Sequence, residues 1–444
     1  MKFPEPLRFA TLSIFTAFAA SACVDDISSS DDELGEDSTT GADGSEDSSE
    51  DSSEGSSESG DGSTLYDPAR IHEFHFVLSD AALDQIRADA DASGFDTNHV
   101  DTYVEGDLEI DGVVYPQIGL RVKGNSSRSM SVGDYLPFKL DMNRFVMGQK
   151  IDGQTKISLH NNASDASFMH DYTSYAAWRR AGVAASRTGW ADVYLNGEFL
   201  GFYTLVEQVG DDMLARTYAD GDRARYKPEP PAGWLTYEGD MIDAYENLDI
   251  ESEGEGTHAA FLDFVRAIDQ QPVSEWSGVF DVESVLLYFA GNVALGNWDT
   301  YVAMGHNYYL YEGEVGRIAM LPWDMNLSQG TLTGICPGDA GGFGGGGGNM
   351  PPPPMGGGFP SMGDPVLHDR LLADPDAFAQ YRALLVELIE NAASPAMIGA
   401  DIEAVEGLLG ERVDAVALQQ VRDNLSQRET TILSMIETTV TCVE

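Results

Sequence analysis

The 444-residue sequence predicts an α+β fold in two parts: a β-rich N-terminal lobe with one long helix, and a mostly helical C-terminal lobe. Three observations carry this. Short β-branched and aromatic runs, one folded back at Asn196-Gly197, dominate residues 72–207. One long helical pattern interrupts them at 164–180. From 365 onward, Leu, Ile and Val recur at helical spacing.

Two segments precede the folded body. Residues 1–23 have the layout of a secretory signal: Lys2 and Arg8, an apolar stretch, then Ala20-Ser21-Ala22 before Cys23. The end of this segment resembles a bacterial lipobox, in which Cys23 carries the lipid; the other reading is ordinary cleavage. The expectation is an exported protein, lipid-anchored to the envelope or cell surface and touching the membrane only through that anchor. Residues 24–64 hold 15 acidic side chains and no basic ones, mixed with Ser and Gly. Such a segment repels itself and has too little apolar surface to fold, so it reads as a disordered tether.

The body, residues 65–335, then unfolds element by element. Strand-like runs occupy 72–78, 102–109 and 113–119, the last two around the turn Asp111-Gly112, with a helix at 80–90. GLRVKGNSSRSM and LPFKLDMN are strand-like runs joined by a Gly/Ser loop. The helix at 164–180 has Ser164 or Asp165 to cap it, Phe168, Tyr172, Tyr175 and Ala176 along one face, and Gly182 to end it. ADVYLNGEFLGFYTLVEQV is a hairpin. Helices follow at 259–270 and at 282–295, the latter capped by Asp281. A strand, a turn at Glu312-Gly313 and a second strand end at Pro322. Residues 336–364, rich in Gly, Pro and Met, read as a loop, and 365–444 as the closing helices of the same domain.

Composition excludes several classes. The formal charge of −49 argues against nucleic acid or an anionic membrane surface as partner. Three cysteines are too few for a disulfide-dense scaffold or a four-cysteine zinc site. In an exported protein Cys336 and Cys442 form either a disulfide or two free thiols.

Against that acidity, residues 120–157 stand out with seven basic and three acidic side chains. Arg121, Lys123 and Lys139 flank the loop Gly124–Ser127, whose backbone N–H groups and hydroxyls suit phosphate oxygens. The residues alone leave two readings, an anion site and a hairpin with a basic outer face. No GxxxxGK[ST] occurs, so the loop is not a Walker loop. The second half offers the opposite chemistry: Asp299 beyond a helix, Asn307 eight residues later, and Asp324 with Asn326 after a strand. Such hard oxygens on loop ends suit Mg²⁺ or Mn²⁺, although a turn cap and a strand end would use the same residues. His160 and His170 near the basic segment have no matched third ligand and read as ordinary polar groups.

RVKGNSS, FKLDMN, ADVYLNGEFLGFYTLVEQV, GNWDTYVAMGHNYYLY and LPWDMN, in this order, resemble the spore coat protein H (CotH) kinase family over roughly 70–435. The resemblance implies an atypical protein-kinase-like bilobal fold and a metal-dependent kinase that moves the γ-phosphate of ATP to Ser/Thr of coat or envelope proteins. It implies Lys139 on the nucleotide phosphates, with Arg121, Lys123 and Ser127 nearby. Asp299 would orient the acceptor hydroxyl and take its proton. Asn307, Asp324 and Asn326 would hold the metal, and Glu207 would lie at the adenine and the hinge. Two departures bear on activity. Trp323-Asp324-Met325-Asn326 has an amide where the family places a second carboxylate, and the helix 164–180 has no glutamate to pair with Lys139, only Asp165 and Asp171. An inactive surface-binding or structural relative, and an AMP transferase on the same scaffold, therefore stand as alternatives.

Overall fold

The computed structural model describes residues 65–92, 99–124, 126–219, 221–313, 316–332, 334–337 and 363–443. The leader, Cys23, the acidic tether and most of the Gly/Pro/Met-rich loop lie outside these residues.

Seven strands close into a barrel. They are β1 (Ile71–Leu78), β2 (Val104–Ile110), β3 (Val113–Val122), β4 (Phe138–Asp141), β5 (Lys156–His160), β6 (Thr188–Leu195) and β7 (Glu198–Glu207). The order around the wall is β1-β2-β3-β4-β5-β7-β6, and parallel pairing of β1 with β6 closes it. The sequence shows strands but not this closure, because alternation in one strand does not report its neighbour across a barrel. Period-two alternation fills the interior with Ile118, Leu120 and Val122 from β3, Phe138 and Leu140 from β4, and Ile157 and Leu159 from β5. The intervening residues Arg121, Lys123, Lys139, Ser158 and His160 therefore share the outer face, where the rest of the chain buries them. The hairpin turn is as expected, with positive φ at both Asn196 and Gly197, which matches the twist of the flanking strands.

Helix α1 (Asp80–Asp91), capped by the Ser79 hydroxyl, lies against β2 and β3. The Gly/Ser loop contains one short helical turn, α2 (Ser126–Ser129). The long helix, α3 (His170–Arg180), starts later than expected. Residues 164–169 form turns, and neither Ser164 nor Asp165 is the cap. The Asp165 carboxylate instead accepts from the backbone N–H groups of Ser167 and His170, so it satisfies the helix start from across the turn. Helix α3 is buried from His170 to Trp178, which its mixed composition does not announce.

The chain leaves the barrel after Glu207. Next come α4 (Asp211–Leu214), β8 (Arg225–Pro228), β9 (Leu248–Ser252), α5 (Ala259–Gln270), α6 (Val282–Ala294), α7 (Tyr301–Met304), β10 (Tyr308–Glu312) and β11 (Ile318–Pro322). The strands form an antiparallel sheet in the order β11-β10-β8-β9. Helix α6 is capped by Asp281 as expected. The closing helices are α8 (Val366–Ala373), α9 (Pro375–Glu390), α10 (Pro395–Leu409) and α11 (Ala415–Thr438). Arg412 ties this helical part to the barrel at Asp192, and Arg180 on α3 reaches Asp401. Cys336 and Cys442 form a disulfide across 106 residues of sequence. The architecture is thus mixed α+β, β-rich at its N-terminal end and helical at its C-terminal end.

Candidate active site

Lys123 follows β3, and its backbone N–H donates to the Pro137 carbonyl at the start of β4. Its Nζ lies 2.9 Å from His160 Nε2, at the end of β5. The other ring nitrogen, Nδ1, lies 2.8 Å from Asp171 Oδ2 on α3. All three side chains are buried. Lys123 also sits over the Trp323 ring, 5.6 Å from its centroid. Next to Trp323, Asp324 has φ +52° and donates its backbone N–H to the Tyr175 hydroxyl at 3.0 Å. His160, Asp171 and Asp324 offer ligand atoms within 4.8 Å of one another. Burial raises the Tyr175 phenol well above its usual range, and the Asp171 and Asp324 carboxylates add to the effect. A shallow cleft opens here, lined by Lys123, Ser127, His160, Asn161, Asp324 and Asn326 among others.

The second constellation follows α6. Asp299, 1% exposed, has Oδ1 2.8 Å from His306 Nε2. Burial alone would depress the His306 imidazolium, but Asp299 and Glu229 outweigh it and push the pKa up to about 10. Asn307 adopts φ +61°, and its amide donates to the Asp299 carbonyl at 3.1 Å. The Asn307 carbonyl accepts from the Trp323 backbone N–H, which links this loop directly to the segment carrying Asp324. The loop carrying Asp299 and Asn307 thus adjoins the segment carrying Asp324.

Other expected residues are placed differently. Lys139 pairs in register with Arg121 and Ser158 but does not line the cleft. It faces Glu251 on β9: burial would raise that carboxyl, but Lys139 first, then Arg225, Lys156 and Lys227, bring it below its usual value. Asp171 pairs with His160, so the α3 carboxylate reaches Lys123 through an imidazole. Arg121 stacks over Tyr103 and lies 3.7 Å from Asp101. Glu207 is fully buried, and its carboxylate is taken by Arg187 and Arg216 at 2.8 and 2.6 Å. That pairing leaves it no oxygen for a ligand without breaking an ion pair. Three residues of these constellations were not marked as candidates by the sequence. His160 read as an ordinary polar group, and its position as the last residue of a strand was the only signal. His306, directly before Asn307, and Glu229 had no spacing pattern to mark them.

A family model described as CotH kinase protein matches residues 120–432, more than half of the chain. The chain belongs to the CotH kinase protein family. No curated protein matches it. The CotH match begins at Leu120, inside β3, and ends at Ile432, inside α11, so it spans the cleft. Strands β1 and β2 precede the match yet complete the barrel wall.

The family suggests use of a nucleotide and a divalent metal, and the donor chemistry of this CotH member fits. Among the described residues, Asp171 Oδ1, Asn307 Oδ1 and Asn326 Oδ1 are buried and make no hydrogen bond. A buried acceptor without a donor calls for a ligand, and these are hard oxygens of the kind Mg²⁺ and Mn²⁺ prefer. His160 is engaged through both ring nitrogens, which leaves the carboxylates and amides as the metal donors.

Proposed function

We propose that this protein is an exported, metal-dependent kinase that moves the γ-phosphoryl group of ATP to Ser or Thr hydroxyls of coat or envelope proteins. The observation that carries the reading is the convergence of Lys123, His160 and Asp324 on one cleft, with the α3 carboxylate of Asp171 behind the imidazole. Protein kinases use a glycine-rich loop over the phosphates, a lysine tied to a helix carboxylate, and an aspartate that holds the metal. Lys123 with His160 and Asp171, and Asp324 beside them, support the last two of these roles; the Gly/Ser loop after β3 lacks the kinase glycine spacing and in this reading covers the phosphates with its hydroxyls and backbone N–H groups. The order strand, glycine loop, two strands, helix, two strands supports a kinase-like bilobal arrangement.

This reading moves the principal phosphate lysine from Lys139 to Lys123, with Ser127 beside it in the cleft. Asp324, Asn326 and Asn307 would hold the metal, which when bound neutralises phosphate charge. Asp299 receives the proton of the acceptor hydroxyl. The acceptor oxygen bonds to the γ-phosphorus, the bond from that phosphorus to the β–γ bridging oxygen breaks, and ADP leaves with the electron pair. The substitution of Asn326 for a carboxylate lowers the negative charge available to a second metal, so a single ion suffices in this reading. We also propose that lipid on Cys23 holds the protein at the envelope. The Cys336–Cys442 disulfide supports an oxidising compartment.

The test is incubation of the full chain and a protein acceptor with γ-labelled or α-labelled ATP and Mg²⁺ or Mn²⁺. Transfer of the γ-label alone is the expected result. Transfer of the α-label would make the protein an AMP transferase, and transfer of neither would make it a binding protein on the same scaffold.

A further inference from the structure

Resting on the kinase reading above, we infer that His306 is a positioning residue for Asp299 and that Glu229 holds it in place. A carboxylate on a loop can turn about its last bond, and the wrong turn presents the wrong oxygen to the acceptor. In this protein His306 removes that freedom. Its ring is fully buried, with Nε2 2.8 Å from Asp299 Oδ1. Asn307, the next residue, fixes the backbone of Asp299 by donating to its carbonyl at 3.1 Å. Consecutive residues thus hold the side chain and the main chain of one aspartate. Only Oδ2 is left without a hydrogen bond. It is the oxygen that takes the acceptor's proton.

The far side of the ring is also built. Glu229, just after β8, has Oε2 3.7 Å from His306 Nδ1, an ion-pair distance beyond hydrogen-bond reach, and its Oε1 lies 3.5 Å from Lys227 Nζ. Close packing brings Glu229 to this loop. A Cβ added to Gly233 would lie 1.7 Å from the Gly305 carbonyl oxygen, so the segment after β8 is pressed against the residue preceding His306. Tyr308 adds a hydrogen bond from its hydroxyl to the Gly233 carbonyl at 2.8 Å.

The test compares two amides at one position. In His306→Gln the side-chain N–H reaches about as far as Nε2 and can donate to Asp299. In His306→Asn it is one methylene too short. With full-length protein, Mn²⁺-ATP and a protein acceptor, His306→Asn should lose about 10²-fold in kcat, at the lower end for a misplaced acid–base group, with the KM for ATP changed less than about twofold. His306→Gln should recover at least about tenfold of that loss. The fold is followed by melting, and equal melting temperatures for the two variants separate positioning from damage. Equal losses in both variants, or wild-type kcat in His306→Asn, would overturn the inference while leaving the kinase reading intact. An inert wild type would overturn the kinase reading and this inference with it.

Discussion

Lys123 and His160 meet nitrogen to nitrogen, with the lysine Nζ 2.9 Å from the ring Nε2. An ammonium group has only donors, so Nε2 accepts and the ring proton sits on Nδ1, pointed at Asp171. The imidazole therefore transmits the helix carboxylate to the lysine over two hydrogen bonds, where an aspartate alone is too short to reach. Helix α3 and strand β3 are coupled through this ring.

The coupling gives the first expectation. Lys123→Ala and His160→Ala should each weaken Mg-ATP binding in isothermal titration. Their double mutant should lose less than the sum, with a coupling of roughly 0.5–3 kcal/mol for residues in direct contact. Lys139→Ala, away from the cleft, should lose less than Lys123→Ala. Strictly additive losses would show that the ring does not hold the lysine, and a larger loss at Lys139 would return the phosphate role to that residue.

Much of this site was legible in the sequence, and the failures are physical. Asp299, Asn307 and Asp324 stand out in the sequence because they lie beyond a helix, before a strand and after one, where polar oxygens on loops are conspicuous, and the structure puts them on adjoining loops. The resemblance puts Lys139 on the phosphates, and sequence parity gives no reason to prefer Lys123, since both lie on the same outer face. What separates them is how far along the barrel wall α3 and the Asp324 turn make contact, which is set by tertiary packing. The barrel itself was missed because closure rests on β1 meeting β6, a pairing with no local signal. Strands β8 and β9 were missed because they are short, polar and separated by a long excursion. The early start assigned to α3 came from reading Asp165 as a cap, when it serves the helix from across a turn.

His306 should also make stability depend on pH. Its folded pKa is pushed up to about 10, against roughly 6.5 for an unperturbed histidine. A raised folded pKa means the contribution is fully present below the unfolded value and is lost as pH rises through the folded one. Between about pH 6.5 and 10 the folded state holds a proton that the unfolded state has released, so stability falls by up to about 1.4 kcal/mol per pH unit from this group. Denaturant titrations of wild type and His306→Gln from pH 6 to 10 should converge as pH rises. Parallel curves across that window would contradict an imidazolium between Asp299 and Glu229.

The Cys336–Cys442 disulfide closes a loop of 106 residues that contains helices α8 to α11. In the chain-entropy account such a loop is worth up to about 4–5 kcal/mol, through the unfolded state. Replacing both cysteines by alanine should therefore lower the melting temperature by several degrees while leaving nucleotide affinity near wild type, because neither cysteine lines the cleft. An unchanged melting temperature would mean that the C-terminal helices hold themselves without the link.

Asp324 and Asp299 should fail in different ways. Asp324 lies in the cleft with Lys123, so Asp324→Asn removes a charge that draws Mg²⁺ or Mn²⁺ to the phosphates. Metal-dependent nucleotide binding and phosphoryl transfer should then fall together. Asp299 is outside that cleft lining and is gripped by His306 and Asn307, so Asp299→Asn should leave nucleotide binding close to wild type. Its turnover should drop by roughly 10²–10⁴ as the acceptor proton loses its destination. The amide retains the size of the carboxylate in both variants, so the barrel and helices should melt as in wild type, apart from the part of Asp299's contribution that comes from pairing with His306. Titration calorimetry with Mn²⁺-ATP, set beside label transfer, measures the two effects separately. Parallel loss of binding in both variants would mean that Asp299 is a metal ligand and not the proton acceptor. Wild-type turnover in Asp299→Asn would remove the acid–base role altogether.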